Sequence, residues 1–217
     1  MKEKMDNTLN YSAQILAAGK RAADGLSYKK ALAQFDKGQS VLDKSVSVFL
    51  EDPRCKQIVI VTNSADLQQL VQGHDSGKII HVKGGITRAE SVLHGLTAVS
   101  EDIVLIHDGV RPWVKQKYID RIMDKMKTEV ACVLAIKPKG HLLKVEDGYV
   151  SDMVKRDYMQ TQTPQAYKTS FILKCYAAAK SLGLNILDDA ALVSRVSDEK
   201  IAVVEGDVRN VRYVLKD

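Results

Sequence analysis

The sequence predicts a doubly wound α/β domain on a mostly parallel sheet, with a hairpin arm projecting from it. Three observations predict this. Short aliphatic runs at residues 57–62, 103–106 and 129–136 are too short for helices and are flanked by polar residues, as strands buried on both faces require. Segments with helical apolar spacing alternate with these runs, which is the order of β-α units with right-handed crossovers. The alternation stops at Lys137, where a stretch of low apolar content begins.

After a polar lead, residues 13–19 predict a first buried strand running into a loop that carries Lys20, Arg21, Lys29 and Lys30. Four cations on one loop point to phosphate. Residues 40–51 place Val41, Leu42, Val46, Phe49 and Leu50 on one helical stripe, with Ser40 as cap and Pro53 as stop. Residues 57–62 predict a second strand, 64–71 a capped helix and 78–82 a third strand. The chain then passes through Gly84-Gly85 into a helix whose first turns carry Arg88 and Ser91, an arrangement expected to hold an anion. The strand at 103–106 follows, then a helix over 116–127 and a strand over 129–136. Residues 141–145 and 149–153 predict two short strands about a Glu-Asp-Gly turn, within a projecting arm spanning 137–160. Thr163-Pro164-Gln165 returns the chain to the body. Helices over 167–182, closed by Gly183, and 188–197 follow, with a last strand over 200–204. No repeat or linker divides the chain, so residues 1–217 are expected to form a single domain.

Composition narrows the function. The net charge of +5 comes from scattered Lys and Arg, and three Phe and one Trp offer few stacking groups for nucleic acid, so a small polyanionic substrate explains the excess as well. Cys55, Cys132 and Cys175 are far apart and lack zinc or disulfide spacing, which fits a reducing cytoplasm. No signal-like or membrane-spanning apolar run occurs, so no membrane association is expected.

The central strand ends in His107-Asp108-Gly109-Val110-Arg111-Pro112. Ligands of open α/β sheets bind outside the carboxyl ends of the strands, so His107, Asp108 and Arg111 should face one. Asp108 suits a hard cation or a hydroxyl donor, and Arg111 suits a phosphate or an orienting pair with that acid. A structural Asp-Arg pair that only closes the turn is the other reading of the same residues.

These residues belong to a longer series. His107-Asp108-Gly109-Val110-Arg111-Pro112, Gly84-Gly85-Ile86-Thr87-Arg88-Ala89-Glu90-Ser91-Val92, Gln162-Thr163-Pro164-Gln165, Asp188-Asp189-Ala190 and the run from Glu205-Gly206 to Asn210 together resemble the 2-C-methyl-D-erythritol 4-phosphate cytidylyltransferase family, within the wider nucleotidyltransferases. The resemblance implies the Rossmann-like nucleotidyltransferase fold and transfer of CMP from CTP to a polyol phosphate with loss of pyrophosphate. It implies Mg2+ as cofactor, with Asp108 as its protein ligand. Ala17, Ala18, Gly19, Gly84, Gly85 and Ser91 would hold the nucleotide. Asp108, Arg111, Lys155 and Thr163 would bind the acceptor. Lys29, Arg21 and Arg212 would be catalytic, with Lys29 on the α-phosphate and Arg212 where the family has a Lys. A homodimer clasped through the arm is implied too. Methylerythritol phosphate is the acceptor expected first, with a ribitol 5-phosphate enzyme or a non-catalytic nucleotide-binding homologue as alternatives.

Departures from the family pattern fall in two places. The first loop, Ala17-Ala18-Gly19-Lys20-Arg21, lacks the second glycine and displaces the basic residue, and Tyr28 precedes Lys29 where the family has Pro. On the acceptor side, Leu142 and Leu187 replace hydroxyl-bearing residues, and Lys155, beside Arg156, replaces an Arg that would grip phosphate bidentately.

Overall fold

The computed structural model describes residues 9–18, 30–36, 38–63, 77–140, 142–153 and 158–215. In chain order the elements are β1 (Tyr11–Leu16), β2 (Gln34–Asp36), β3 (Gln39–Ser40), α1 (Val41–Glu51), β4 (Cys55–Thr62), β5 (Ile79–Lys83), α2 (Arg88–Leu96), β6 (Ile103–Asp108), α3 (Gln116–Lys125), β7 (Ala131–Ile136), β8 (Leu143–Glu146), β9 (Tyr149–Met153), β10 (Gln160–Lys168), α4 (Thr169–Ser181), α5 (Asp189–Val196) and β11 (Ala202–Glu205). The helix expected over 64–71 lies outside the described residues.

Seven strands form one sheet in the order β11-β7-β10-β6-β1-β4-β5. The β6-β1-β4-β5 half is parallel throughout, as is the β11-β7 pair. Along β6 the side chains alternate between two cores. Ile103 and Leu105 pack with Tyr11, Phe49 and Tyr118 on one face, while Val104 and Ile106 pack with Tyr167, Ile172 and Leu192 on the other. A strand buried on both faces reads as an unbroken aliphatic run for this reason.

The helix expected over 40–51 forms with Ser40 as its N-cap, in a capping box with Asp43. The arm is a two-stranded antiparallel hairpin whose tip residues, Asp147 (φ 50) and Gly148 (φ 85), both take the left-handed conformation that a two-residue turn needs.

One expectation is corrected and one element is added. Residues 160–168 are not a connector running into a helix at residue 167 but a nine-residue strand, antiparallel to both β6 and β7 in the middle of the sheet, and α4 begins only at Thr169. Gln162, Thr163 and Gln165 are buried because distant groups satisfy them, and Pro164, after a cis peptide bond, sits where the register with β7 shifts, so no ladder donor is missed. The small β2-β3 hairpin between the first loop and α1 was likewise absent from the sequence reading. Among the described residues, no helix is long and apolar enough to cross a membrane.

Candidate active site

The turn after β6 is a closed hydrogen-bond circuit. Gly109 donates its N–H to Leu16 O on β1 at 2.9 Å, and Arg111 N–H turns back to Asp108 O at 3.0 Å. The Asp108 N–H donates to Thr163 Oγ1 at 3.0 Å, and Thr163 Oγ1 lies 3.0 Å from His107 Nδ1. His107 Nε2 is 3.3 Å from Arg111 O. One proton arrangement satisfies every group: the threonine hydroxyl accepts from Asp108 and donates to Nδ1, and Nε2–H donates to the carbonyl. His107 is therefore neutral, and its burial pushes its pKa down to about 4 against the opposing charge of Asp108. It braces the turn, which is the structural role a strand-end histidine suggests.

Asp108 is the electrostatic centre. Its Oδ2 accepts from Arg111 Nε at 3.0 Å and from Arg212 Nε and Nη2 at 3.0 and 2.9 Å. Burial alone would raise its pKa, but Arg212, Arg111 and the charge of Arg88 outweigh that and hold it at about 2. Arg111 is fixed at its other end, where Nη1 donates to Asn210 O at 2.8 Å. Asn210 is fully buried and donates Nδ2–H to Thr163 O at 2.9 Å, and Gln162 Nε2 reaches Asp207 O and Asn210 O at 2.8 and 3.2 Å. Asp108, Arg111, Thr163 and Arg212, from three separated stretches of sequence, thus form one contact group.

A second group stands at the ends of β1 and β5. Ala17 N–H donates to Val61 O at 2.8 Å, and Gly84 N–H to Thr62 O at 3.3 Å. A Cβ on Gly84 would lie 2.2 Å from Ala18 Cβ, so a glycine is required for the two strand ends to approach this closely. Ser91 Oγ accepts from Gly85 N–H and donates to Thr87 O, each at 3.0 Å. Glu90 Oε2 takes the N–H groups of Ile86 and Thr87 at 2.7 and 3.1 Å, and Thr87 Oγ1 caps Glu90 N at 3.1 Å. The expected anion site at the start of α2 is corrected in part: the protein's own side chains take the N–H groups of Gly85, Ile86, Thr87 and Glu90, and Arg88 grips Asp189 bidentately at 3.1 and 2.6 Å. Ser91 shapes the Gly84-Gly85 turn from behind.

Gly19, Arg21, Lys29 and Lys155 lie outside the described residues. Leu142 and Leu187, 43% and 70% exposed, point much of their surface at solvent. The sequence reading assigned no role to Gln162, Asn210 or Asp189. The signal available was their place in the motifs Gln162-Thr163-Pro164-Gln165, Asp188-Asp189-Ala190 and Glu205-Gly206 to Asn210, which carry the family resemblance but name no partner for them. Among the described residues no three His, Cys, Asp or Glu side chains are grouped to hold a metal, and every contact on the Asp108 carboxylate falls on Oδ2. One carboxylate whose Oδ1 takes no hydrogen bond from the described residues fits a cation that arrives mainly ligated by phosphate, as Mg2+ does.

The order of these groups along the chain is that of a known family, and the whole chain bears it out. The model described as IspD: 2-C-methyl-D-erythritol 4-phosphate cytidylyltransferase matches residues 12–217. The chain belongs to the 2-C-methyl-D-erythritol 4-phosphate cytidylyltransferase family. It is 32% identical to the family protein of that name from Bacillus licheniformis, over 96% of this chain and 92% of that one. It is 33% identical to the one from Geobacillus kaustophilus, over 94% and 91%. Among solved structures it superposes on 4-diphosphocytidyl-2C-methyl-D-erythritol synthase from Anaerococcus prevotii with a TM-score of 0.84 and 27% identity, covering 95% of this chain and 93% of that one. The family protein from Francisella tularensis gives 0.80 and 26%, covering 95% and 94%. The family's doubly wound nucleotidyltransferase fold is the fold described above.

Proposed function

We infer that this protein transfers CMP from CTP to the phosphate of 2-C-methyl-D-erythritol 4-phosphate and releases pyrophosphate, in isoprenoid precursor synthesis. The observation that supports this most is the meeting of Asp108, Arg111, Thr163 and Arg212 at the end of β6, in a chain that matches the family from residue 12 to residue 217. An acceptor phosphate oxygen attacks the α-phosphorus of CTP. The new P–O bond forms as the bond to the β-phosphate oxygen breaks, and the electron pair leaves with pyrophosphate. Catalysis then consists of alignment and neutralisation of several negative charges.

The residues divide that work. Ala17, Ala18, Gly84 and Gly85 shape a narrow slot for the nucleoside, with Gly19 next in the chain and Ser91 bracing the slot. Arg111 and Arg212 present guanidinium groups to phosphate, and Asp108 keeps both aimed. By the resemblance, Lys29 and Arg21 bring further positive charge to the triphosphate, and Lys155 and Thr163 serve the acceptor. Mg2+, when bound, would be held by Asp108 and phosphate oxygens and would neutralise charge on the triphosphate. Reaction in the cytoplasm fits three cysteines that are all free and buried.

The arm supports a homodimer. Leu143, Val145, Tyr149 and Val150 are 49%, 58%, 79% and 60% exposed on a hairpin that makes a separate two-stranded sheet, and such a hairpin is marginal without something to pack against. Titration of the protein with nucleotides in the presence of Mg2+, followed by thermal shift, tests the donor half of this reading. CTP should stabilise more than ATP or GTP; equal stabilisation by ATP would remove the assignment of the Ala18-Gly84 slot to cytidine.

A further inference from the structure

The stretch carrying Arg212 is held at two points. On one side Asn210 is buried and tied to Arg111, Gln162 and Thr163. On the other, Tyr213 N–H donates to Val110 O at 2.7 Å, and the Tyr213 ring stacks on Trp113 with centroids 6.1 Å apart and planes 25° from parallel. Phe35, on β2, sets its ring against both, at 5.6 Å from Trp113 and 6.4 Å from Tyr213. Three distant stretches therefore meet in one aromatic cluster: the β6 turn, the tail bearing Arg212, and the chain just past the cationic first loop.

The Arg212 side chain is itself 56% exposed. An ion pair with that much solvent around one partner is too weak to hold a backbone in place. The direction of dependence is the reverse: the backbone must hold the pair. We propose that Trp113, Tyr213 and Phe35 are a clasp that fixes Arg212 against Asp108, which makes Trp113 and Tyr213 positioning residues for phosphate recognition. The proposal rests on the reading that Arg212 serves cytidylyl transfer. Neither aromatic ring is required to touch a substrate; each acts by restricting where the guanidinium next to Asp108 can lie. A small misplacement of a charge-stabilising group is enough to lower the rate of the chemical step without abolishing binding.

The test is a double-mutant cycle over Tyr213→Ala and Arg212→Ala, with Tyr213→Phe as the conservative variant, and with kcat and the CTP KM measured for each. Tyr213→Ala should lower kcat about 10- to 100-fold and change the CTP KM far less. Tyr213→Phe, which keeps the stacked ring, should retain wild-type kcat. In the Arg212→Ala background the Tyr213→Ala change should have no further effect, because two residues acting through one contact do not add. An equal fold-loss in both backgrounds, or wild-type kcat in Tyr213→Ala, would overturn the clasp. A second readout needs no turnover. Trp113 is the single tryptophan of the chain, so acrylamide quenching of its emission should rise in Tyr213→Ala, and unchanged quenching would also overturn the proposal. A wild-type protein that does not turn over CTP would refute the transfer reading while leaving the fluorescence result to decide the clasp.

Discussion

Arg88 places both guanidinium ends on the Asp189 carboxylate, at 3.1 and 2.6 Å, across 101 positions of sequence. Arg88 opens α2 directly behind the Gly84-Gly85 turn, and Asp189 opens α5, where Asp188 caps the helix and accepts from Gln165 on β10. The pair is a strut between α2 and α5, which pack into the same core on one face of the sheet. Asp189 is fully buried and also accepts from Tyr176 Oη, and its charge raises the pKa of Arg88 although burial works the other way.

Breaking that strut should destabilise the protein more than removing it. Asp189→Asn or Arg88→Ala leaves a buried charge without its partner, a loss of about 3 to 5 kcal/mol, whereas Arg88→Met with Asp189→Leu replaces the pair by apolar packing and should lose less than either single change. Chemical denaturation of the four proteins measures this. A double variant as unstable as the sum of the singles would show that the two side chains act independently.

His107 predicts a specific dependence of stability on pH. Its pKa lies near 4 in the fold and 6.5 in the unfolded chain, so between those values the unfolded state binds more protons and stability falls as pH falls. With the ring fully buried, the loss from pH 6.5 to 4 is roughly 3 kcal/mol. Asp108, held at about 2 against its ordinary 3.8, stays ionised through this range and adds its own loss only below it. Urea denaturation at pH 7 and pH 5 should show a smaller difference for His107→Gln than for the wild type. The slope that remains includes His81, which burial also pushes down; the depressed carboxylates are ionised in both states over this interval and add none. An identical slope in the variant would mean that His107 is already charged in the folded protein.

The approach of Gly84 to Ala18 gives a reciprocal test. Gly84→Ala sets two Cβ atoms 2.2 Å apart and must force the strand ends to separate. CTP binding should weaken, and adding Ala18→Gly should recover much of it by making room again. Calorimetric titration compares the three; failure of the second change to help would place the strain at Asn63 or Ser91, whose side-chain atoms lie 3.2 Å from the same position.

What was legible in the sequence follows from where the information is stored. The strand at Ile103–Asp108 declared itself because both its faces are buried, and the Ser40 cap because its partner, Asp43, is three residues away. β10 did not, since the polar run at Gln162, Thr163 and Gln165 lacks a strand pattern until Asp207, Asn210 and Asp188 are brought to it from 23 to 48 residues away. Arg88 read as an anion ligand for the same reason: its partner is remote in sequence. Asp108 and Arg111 were legible as a unit, whereas Arg212 joins them only through contacts made by the folded tail.

The most direct measurement is pyrophosphate release from CTP and Mg2+ with 2-C-methyl-D-erythritol 4-phosphate as acceptor, set beside ribitol 5-phosphate. Cytidylyl transfer predicts one pyrophosphate per 4-diphosphocytidyl-2-C-methyl-D-erythritol formed, with methylerythritol phosphate the better acceptor by kcat/KM. Faster turnover of ribitol 5-phosphate, or no pyrophosphate from either acceptor while CTP still binds, would contradict it.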